Sequence, residues 1–77
     1  MSKLPQVSAK EILKVLYKLD FRIVTQKGSH IKLLRFTAVG KQKVMVPNHK
    51  EIRKGTLRNI LREIDLSTDE FIKLLKH

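Results

Sequence analysis

Apolar residues recur at helical spacing near both ends of this 77-residue chain, around a middle that is rich in strand-forming residues. This arrangement limits the fold more than any other feature. Ser8 and Glu11 have the spacing of a capping box, so a helix is predicted to begin at Ser8 and to end at Asp20. Its buried stripe is predicted to contain Ile12, Leu13, Leu16 and Leu19.

The middle of the chain predicts three strands joined by two turns. Branched and aromatic residues favour strands over residues 21–27, 30–36 and 43–46. Gly28 and Ser29 form the first turn, and residues 37–42 are predicted to form a longer one. Pro47 closes the third strand, because proline has no N–H to donate to a neighbouring strand.

Residues 48–55 are polar and lack periodicity, which is typical of a loop. A second helix is then predicted from the spacing of Leu57, Ile60, Leu61 and Ile64. Ser67 and Glu70 repeat the capping-box pattern before a third helix, which is predicted to bury Phe71, Leu74 and Leu75.

Together these elements predict a single domain over residues 1–77 with an α+β fold. A three-stranded antiparallel sheet needs one face covered, and the flanking helices can both pack on that face as a second layer. This helix–three strands–helix order is that of the double-stranded-RNA-binding domain, followed here by an extra helix.

The formal charge of +10, from 17 basic and 7 acidic residues, predicts a polyanionic partner. Nucleic acid is the usual one, although an anionic membrane or an acidic protein would also satisfy the charge. There is no cysteine, and three scattered histidines make a poor metal site, so neither metal nor cofactor is expected. No stretch approaches a membrane span, and a soluble cytoplasmic protein is expected.

Gly28, Ser29 and His30 form the most suggestive segment for catalysis. Glycine permits a positive φ and lets a phosphate approach the backbone, serine adds a donor, and histidine can transfer a proton. Lys27 and Lys32 are placed to hold the phosphate. The alternative interpretation is an ordinary hairpin turn followed by an exposed histidine. If Ile31 and Leu33 are buried, alternation along the strand leaves His30 free for substrate.

His49 follows the third predicted strand and is a second candidate. It would be the complementary acid or base if its loop folds back toward His30; otherwise it is a loop residue that caps a turn or binds phosphate. His77, at the end of the chain, is assigned no role.

Basic residues before and along the two main helices are candidates for binding RNA phosphates. A phosphate at a helix start gains from the helix dipole and from the free amides. A solvated basic face is the alternative, because lysine and arginine suit any exposed helix. The candidates are Lys10, Lys14, Lys50, Arg53, Lys54, Arg58 and Arg62.

Four segments in register resemble the HicA toxins. They are Gly28-Ser29-His30, Val46-Pro47-Asn48-His49, the run from Gly55 to Arg62, and Leu66-Ser67 with Glu70-Phe71. The resemblance implies a toxin that cleaves messenger RNA, has a double-stranded-RNA-binding-like fold and is neutralised by a HicB-type antitoxin. It also implies that His30 is catalytic and that His49 is the second histidine of the family. Lys54 and Asp65 depart from the pattern, in which proline and a small residue are frequent.

The leading hypothesis is therefore a metal-independent ribonuclease, monomeric when free and hetero-oligomeric with its antitoxin. Two alternatives stay open: a non-catalytic double-stranded-RNA-binding module that blocks translation by occupancy, and a basic surface that serves mainly to bind an acidic protein.

Overall fold

A computed structural model describes residues 3–76, and its elements have the predicted order. The α+β fold with a three-stranded antiparallel sheet is confirmed, in the strand order β1-β2-β3. His77 lies outside the described residues. No helix in the described part is long and apolar enough to cross a membrane. The elements are α1 (Ala9–Lys18), β1 (Arg22–Lys27), β2 (His30–Thr37), β3 (Gly40–Pro47), α2 (Lys54–Glu63) and α3 (Thr68–Lys76).

Helix α1 begins where the capping box predicted. The Glu11 amide donates to Ser8 Oγ at 3.2 Å, and the Ser8 amide donates to Glu11 Oε1 at 3.0 Å, so two amides that the helix itself leaves unpaired are satisfied. Its fully buried residues are Ala9, Ile12, Val15 and Leu16. Leu13 and Leu19 are only half-buried against the core, so the buried stripe is rotated toward Val15 relative to the prediction.

The sheet has one covered face. Strand β2 lies in the middle and pairs with both neighbours, and Ile31, Leu33, Val44 and Val46 are buried beneath the helices. Every residue of β1 is exposed, and this edge strand contains a β-bulge between Ile23 and Thr25. The opposite face of the sheet is open.

The third strand is longer than predicted. Thr37 pairs with Gly40, so only Ala38 and Val39 form the turn, and the six-residue turn predicted over 37–42 is wrong. The first residues of β3, including Lys41 and Gln42, are polar and do not have the pattern of a strand. Their backbones nevertheless pair with β2, because this pairing does not depend on the side chains. At the other edge, β1 begins at Arg22, one residue later than predicted, because the Phe21 amide is bonded to the Leu16 carbonyl at the end of α1.

Helix α2 begins at Lys54, so the predicted loop ends two residues early, but its apolar stripe is buried as predicted. In α3, Phe71 is fully buried, whereas Leu74 and Leu75 are only half-buried. The Glu70 amide donates to Ser67 Oγ at 3.1 Å, which confirms the serine half of the predicted capping box. Glu70 Oε1 accepts from the Ser67 hydroxyl at 3.2 Å instead of from the Ser67 amide.

Leu4, Val7 and Ile52 belong to the core although no periodicity marked them. The Ile52 amide donates to the Val7 carbonyl at 2.8 Å, and the Ala9 amide donates to the His49 carbonyl at 2.9 Å. The segment before α1 is thereby bound to the loop before α2, and that loop is ordered by packing rather than by secondary structure.

Helices α1 and α2 both end with an aspartate in the left-handed conformation, Asp20 at φ 70° and Asp65 at φ 55°. In each case the next amide donates back across the last turn: Phe21 to the Leu16 carbonyl at 3.0 Å, and Leu66 to the Leu61 carbonyl at 2.9 Å. These are Schellman motifs, in which glycine is the usual left-handed residue.

We expect Asp65→Gly to stabilise the fold, because it removes the steric strain of a Cβ in the left-handed region and a negative charge from a helix C-terminus. The free energy of unfolding should rise by about 0.5–1 kcal/mol, measured by urea denaturation. Asp65→Ala is the matched control: it removes the same charge but keeps the Cβ. Equal stability of the two variants would contradict this explanation.

Candidate active site

His30 is the first residue of β2, directly after the turn at Gly28 and Ser29, and its backbone is paired on both sides, with Lys27 and with Pro47. Gly28 has φ +56°, the left-handed conformation that the turn requires. Because Ile31 is buried with 3% exposure, alternation directs the preceding His30 side chain away from the core. The structure therefore has the exposed His30 that the alternation predicted.

The residues that follow β3 continue alongside this turn. The Asn48 amide donates to the Ser29 carbonyl at 2.6 Å, and the His49 amide donates to the Pro47 carbonyl at 2.9 Å. Since the His49 carbonyl also accepts from Ala9, the loop is held on both of its sides. These bonds hold the backbone of Asn48 and His49 next to the turn that precedes His30.

Both histidines line one cleft with a volume of about 500 Å³. Its other walls come from the end of β3, from the loop and from the start of α2, and it is lined by His30, Pro47, His49, Glu51, Arg53 and Thr56. Two imidazoles can exchange protons with a substrate, and a guanidinium can hold a phosphate by two parallel hydrogen bonds. The cleft therefore combines groups for proton transfer with a group for anion binding.

The start of α2 forms one wall of this cleft. Its N-cap residue Arg53 makes no side-chain capping bond, and the first turn contains no acidic residue. The first amides of a helix lack partners within the helix and carry the positive end of its dipole. An anion in the cleft would therefore be attracted by the helix as well as by Arg53.

Glu51 is the one acidic residue that lines the cleft, and the sequence did not single it out. Thr56 lies in the run from Gly55 to Arg62 that resembles the HicA toxins, but no role was predicted for it. Neither residue carries a motif of its own, and only the path of the loop places them beside His30. Glu51 adds a carboxylate that can accept a proton or orient an imidazole.

The predicted RNA-binding residues are spread over several surfaces. Lys27 is the cross-strand partner of His30, and Lys32 lies two residues further along the same face of β2. Lys10 and Lys50 line a second cavity beside His49. Among the predicted cations only Arg53 lines the His30 cleft. Six others line neither cavity: Lys14, Lys27, Lys32, Lys54, Arg58 and Arg62.

Within residues 3–76, no three histidine, aspartate or glutamate side chains are grouped so that they could hold a metal ion. The ionisable side chains that line the cleft are those of two histidines, one glutamate and one arginine.

Comparison with protein families gives a match over residues 9–66 to the family described as the HicA toxin of bacterial toxin-antitoxin. A search of curated proteins finds no match. The matched region runs from the start of α1 past the end of α2, so it contains every residue of the cleft. Because the family consists of toxins from toxin–antitoxin pairs, membership implies an antitoxin partner. The match covers well over half of the chain, which therefore belongs to the HicA toxin family.

Proposed function

We propose that this chain is a ribonuclease that cleaves messenger RNA, with His30 as the main catalytic acid/base, and that a HicB-type antitoxin neutralises it. The observation that carries the proposal is the single cleft shared by two exposed histidines, Arg53 and the start of α2. Family membership supports the toxin role. The cleft supports the chemistry.

In the proposed reaction His30 removes the proton from a ribose 2′-hydroxyl. The 2′-oxygen then forms a bond to the adjacent phosphorus, and the bond from phosphorus to the 5′-oxygen of the next nucleotide breaks. His49 donates a proton to that departing oxygen. The products are a 2′,3′-cyclic phosphate and a 5′-hydroxyl, and no metal or cofactor takes part. Arg53 and the first amides of α2 stabilise the negative charge on the phosphate oxygens.

The remaining cations would bind the flanking phosphates. Residues 21–50 contain seven lysines and arginines and no aspartate or glutamate, so the whole sheet region attracts a polyanion. Lys27 and Lys32 lie next to His30 on this surface, with Gly28 and Ser29 in the turn between Lys27 and His30. The other candidates would bind phosphates further along the strand; they lie in α1, in the loop before α2 and in α2, and are Lys10, Lys14, Lys50, Lys54, Arg58 and Arg62.

The antitoxin would act by covering the cleft, competing with RNA for the same basic groups. The free toxin is proposed to be a monomer in the cytoplasm, where messenger RNA is available, and a hetero-oligomer once it is bound.

We expect His30→Ala to lower the rate of RNA cleavage by a factor of about 10² to 10⁴, which is the usual contribution of positioned proton transfer. Because His30 is exposed and outside the core, folding and RNA binding should be retained. Sequencing of 5′ ends after incubation with a defined RNA measures the loss, and Asn59→Ala, exposed on α2, is the control. If the His30→Ala protein cleaves RNA at the rate of the unsubstituted protein, His30 is not the catalytic acid/base. RNA binding without new ends in the unsubstituted protein would instead favour the occupancy mechanism.

The role of His49 can be separated from that of His30 with a substrate whose leaving group needs no proton. We expect His49→Ala to slow cleavage of RNA by about 10² or more, but to have little effect on a uridine 3′-phosphate ester of p-nitrophenol. His30→Ala should slow both reactions, because both still require the 2′-hydroxyl to lose its proton. If His49→Ala slows the two substrates equally, His49 does not act as the acid.

RNA binding should depend strongly on salt. For the His30→Ala protein, the logarithm of the binding constant should fall with the logarithm of salt concentration by about 0.7 per phosphate contacted, a total slope of several units. Arg53→Gln should reduce that slope by about 0.7. Lys73→Gln, exposed on α3, is the control and should leave the slope unchanged. A slope near zero would show that the basic surface does not serve RNA.

A further inference from the structure

We propose that the second cavity, on the helix side of the sheet, binds one nucleobase of the RNA and gives the enzyme a base preference next to the cleaved bond. This inference rests on the proposed ribonuclease function and adds a specificity site to it. The cavity has a volume of about 570 Å³, which is within the usual range for small-ligand sites.

The walls of this cavity are apolar. They are formed by Ala9 and Leu13 of α1 together with Ile23 and Ile31 of the sheet. Ile23 is 40% exposed and Leu13 is half-buried, so the fold leaves aliphatic surface here that its own helices do not cover. The flat face of a base can pack on such surface and remove it from water.

Two primary amides, those of Gln26 and Asn48, also line the cavity. Within residues 3–76 neither side-chain amide has a hydrogen-bond partner, whereas the backbone of Asn48 is fixed by its bond to Ser29. An amide presents both a donor and an acceptor, which is the pattern needed to recognise the edge of an unstacked base in single-stranded RNA.

The β-bulge in β1 is what brings these groups to one side. Residues three apart in a regular strand face opposite ways, but Ile23 pairs with Leu33 and Gln26 pairs with Ile31, and both of those partners face the core. The extra residue in the bulge changes the alternation between them, so that Ile23 and Gln26 share the cavity.

The cavity adjoins the catalytic cleft. His49 lines both, and Ile31 follows His30 directly in β2. A nucleotide that spans both would place its phosphate beside Arg53 and its base in the second cavity.

The charges around the cavity agree with this ligand. Lys10 and Lys50 line it, and among residues 3–76 no carboxylate does. An apolar side chain from a protein partner would also fill the space, but it would leave the amides of Gln26 and Asn48 unpaired in an interface, which is unfavourable. The chemistry of the lining therefore favours a base.

The test is to map cleavage sites of the protein on a randomised RNA and to compare variants of the cavity. We expect a preference of about 5- to 100-fold for one type of base at a fixed position beside the cleaved bond. The double substitution of Gln26→Ala and Asn48→Ala should reduce that preference to about twofold or less while His30-dependent cleavage persists. Ile23→Trp should fill the cavity and have the same effect.

Val24→Trp is the matched control, since Val24 is the neighbouring residue, is 47% exposed and does not line the cavity. It should leave the preference unchanged, and thermal unfolding of all variants shows which of them fold. If His30-dependent cleavage continues with the same preference in the folded cavity variants, the base site is refuted and the ribonuclease function stands.

A binding experiment makes the inference independent of catalysis. In NMR titrations of the unsubstituted protein with the four nucleoside 3′-monophosphates, at least one should shift the methyl signals of Leu13 and Ile23, and inorganic phosphate should not. Loss of those shifts in the variant with both amides replaced would support the site. If no nucleotide shifts these signals, the inference is overturned even where cleavage is observed. If only an apolar peptide shifts them, the cavity binds a protein partner instead.

Discussion

The position of β2 between two strands, with one face covered by helices, is the constraint on which the rest of the structure depends. Ile31 and Leu33 are removed from water on the covered face, with exposures of 3% and 0%. A slip of one residue in register would expose both and bury a lysine and a histidine in their place, at a large cost in free energy. The same alternation that stabilises the core therefore fixes the outward direction of His30, and hydrogen bonding on both edges leaves its backbone little freedom.

The part of the cleft around His49 is positioned by contacts of a loop and not by a strand. His49 lies in a loop, and the loop is positioned by a short backbone pairing between Val7 and Ile52 and by the bond from Ala9 to His49. Val7 and Ile52 are both 2% exposed, so these bonds are shielded from water. The residues before α1 and before α2 thus act together to hold a histidine that neither segment could place alone.

Most of the fold could be predicted from the sequence because it depends on local patterns. The cap at Ser8 and the stripe from Leu57 to Ile64 act within one helix, and the exposure of His30 follows from its neighbour Ile31. The predicted length of β3 was too short. Lys41 and Gln42 pair with β2 through backbone hydrogen bonds, which the pattern of side chains does not indicate. The bulge in β1, the burial of Ile52 and the approach of Glu51 to His30 all depend on contacts between distant segments.

No side chain that lines the cleft belongs to the hydrophobic core. The free energy that maintains the fold and the groups that would cut RNA are therefore carried by different residues of a very small domain. Under the proposed function, a copy that had lost the His30 imidazole by mutation would keep its shape and its positive surface, and would still occupy an antitoxin molecule. Such inert copies would act as decoys, releasing intact toxin from its inhibitor in the same cell.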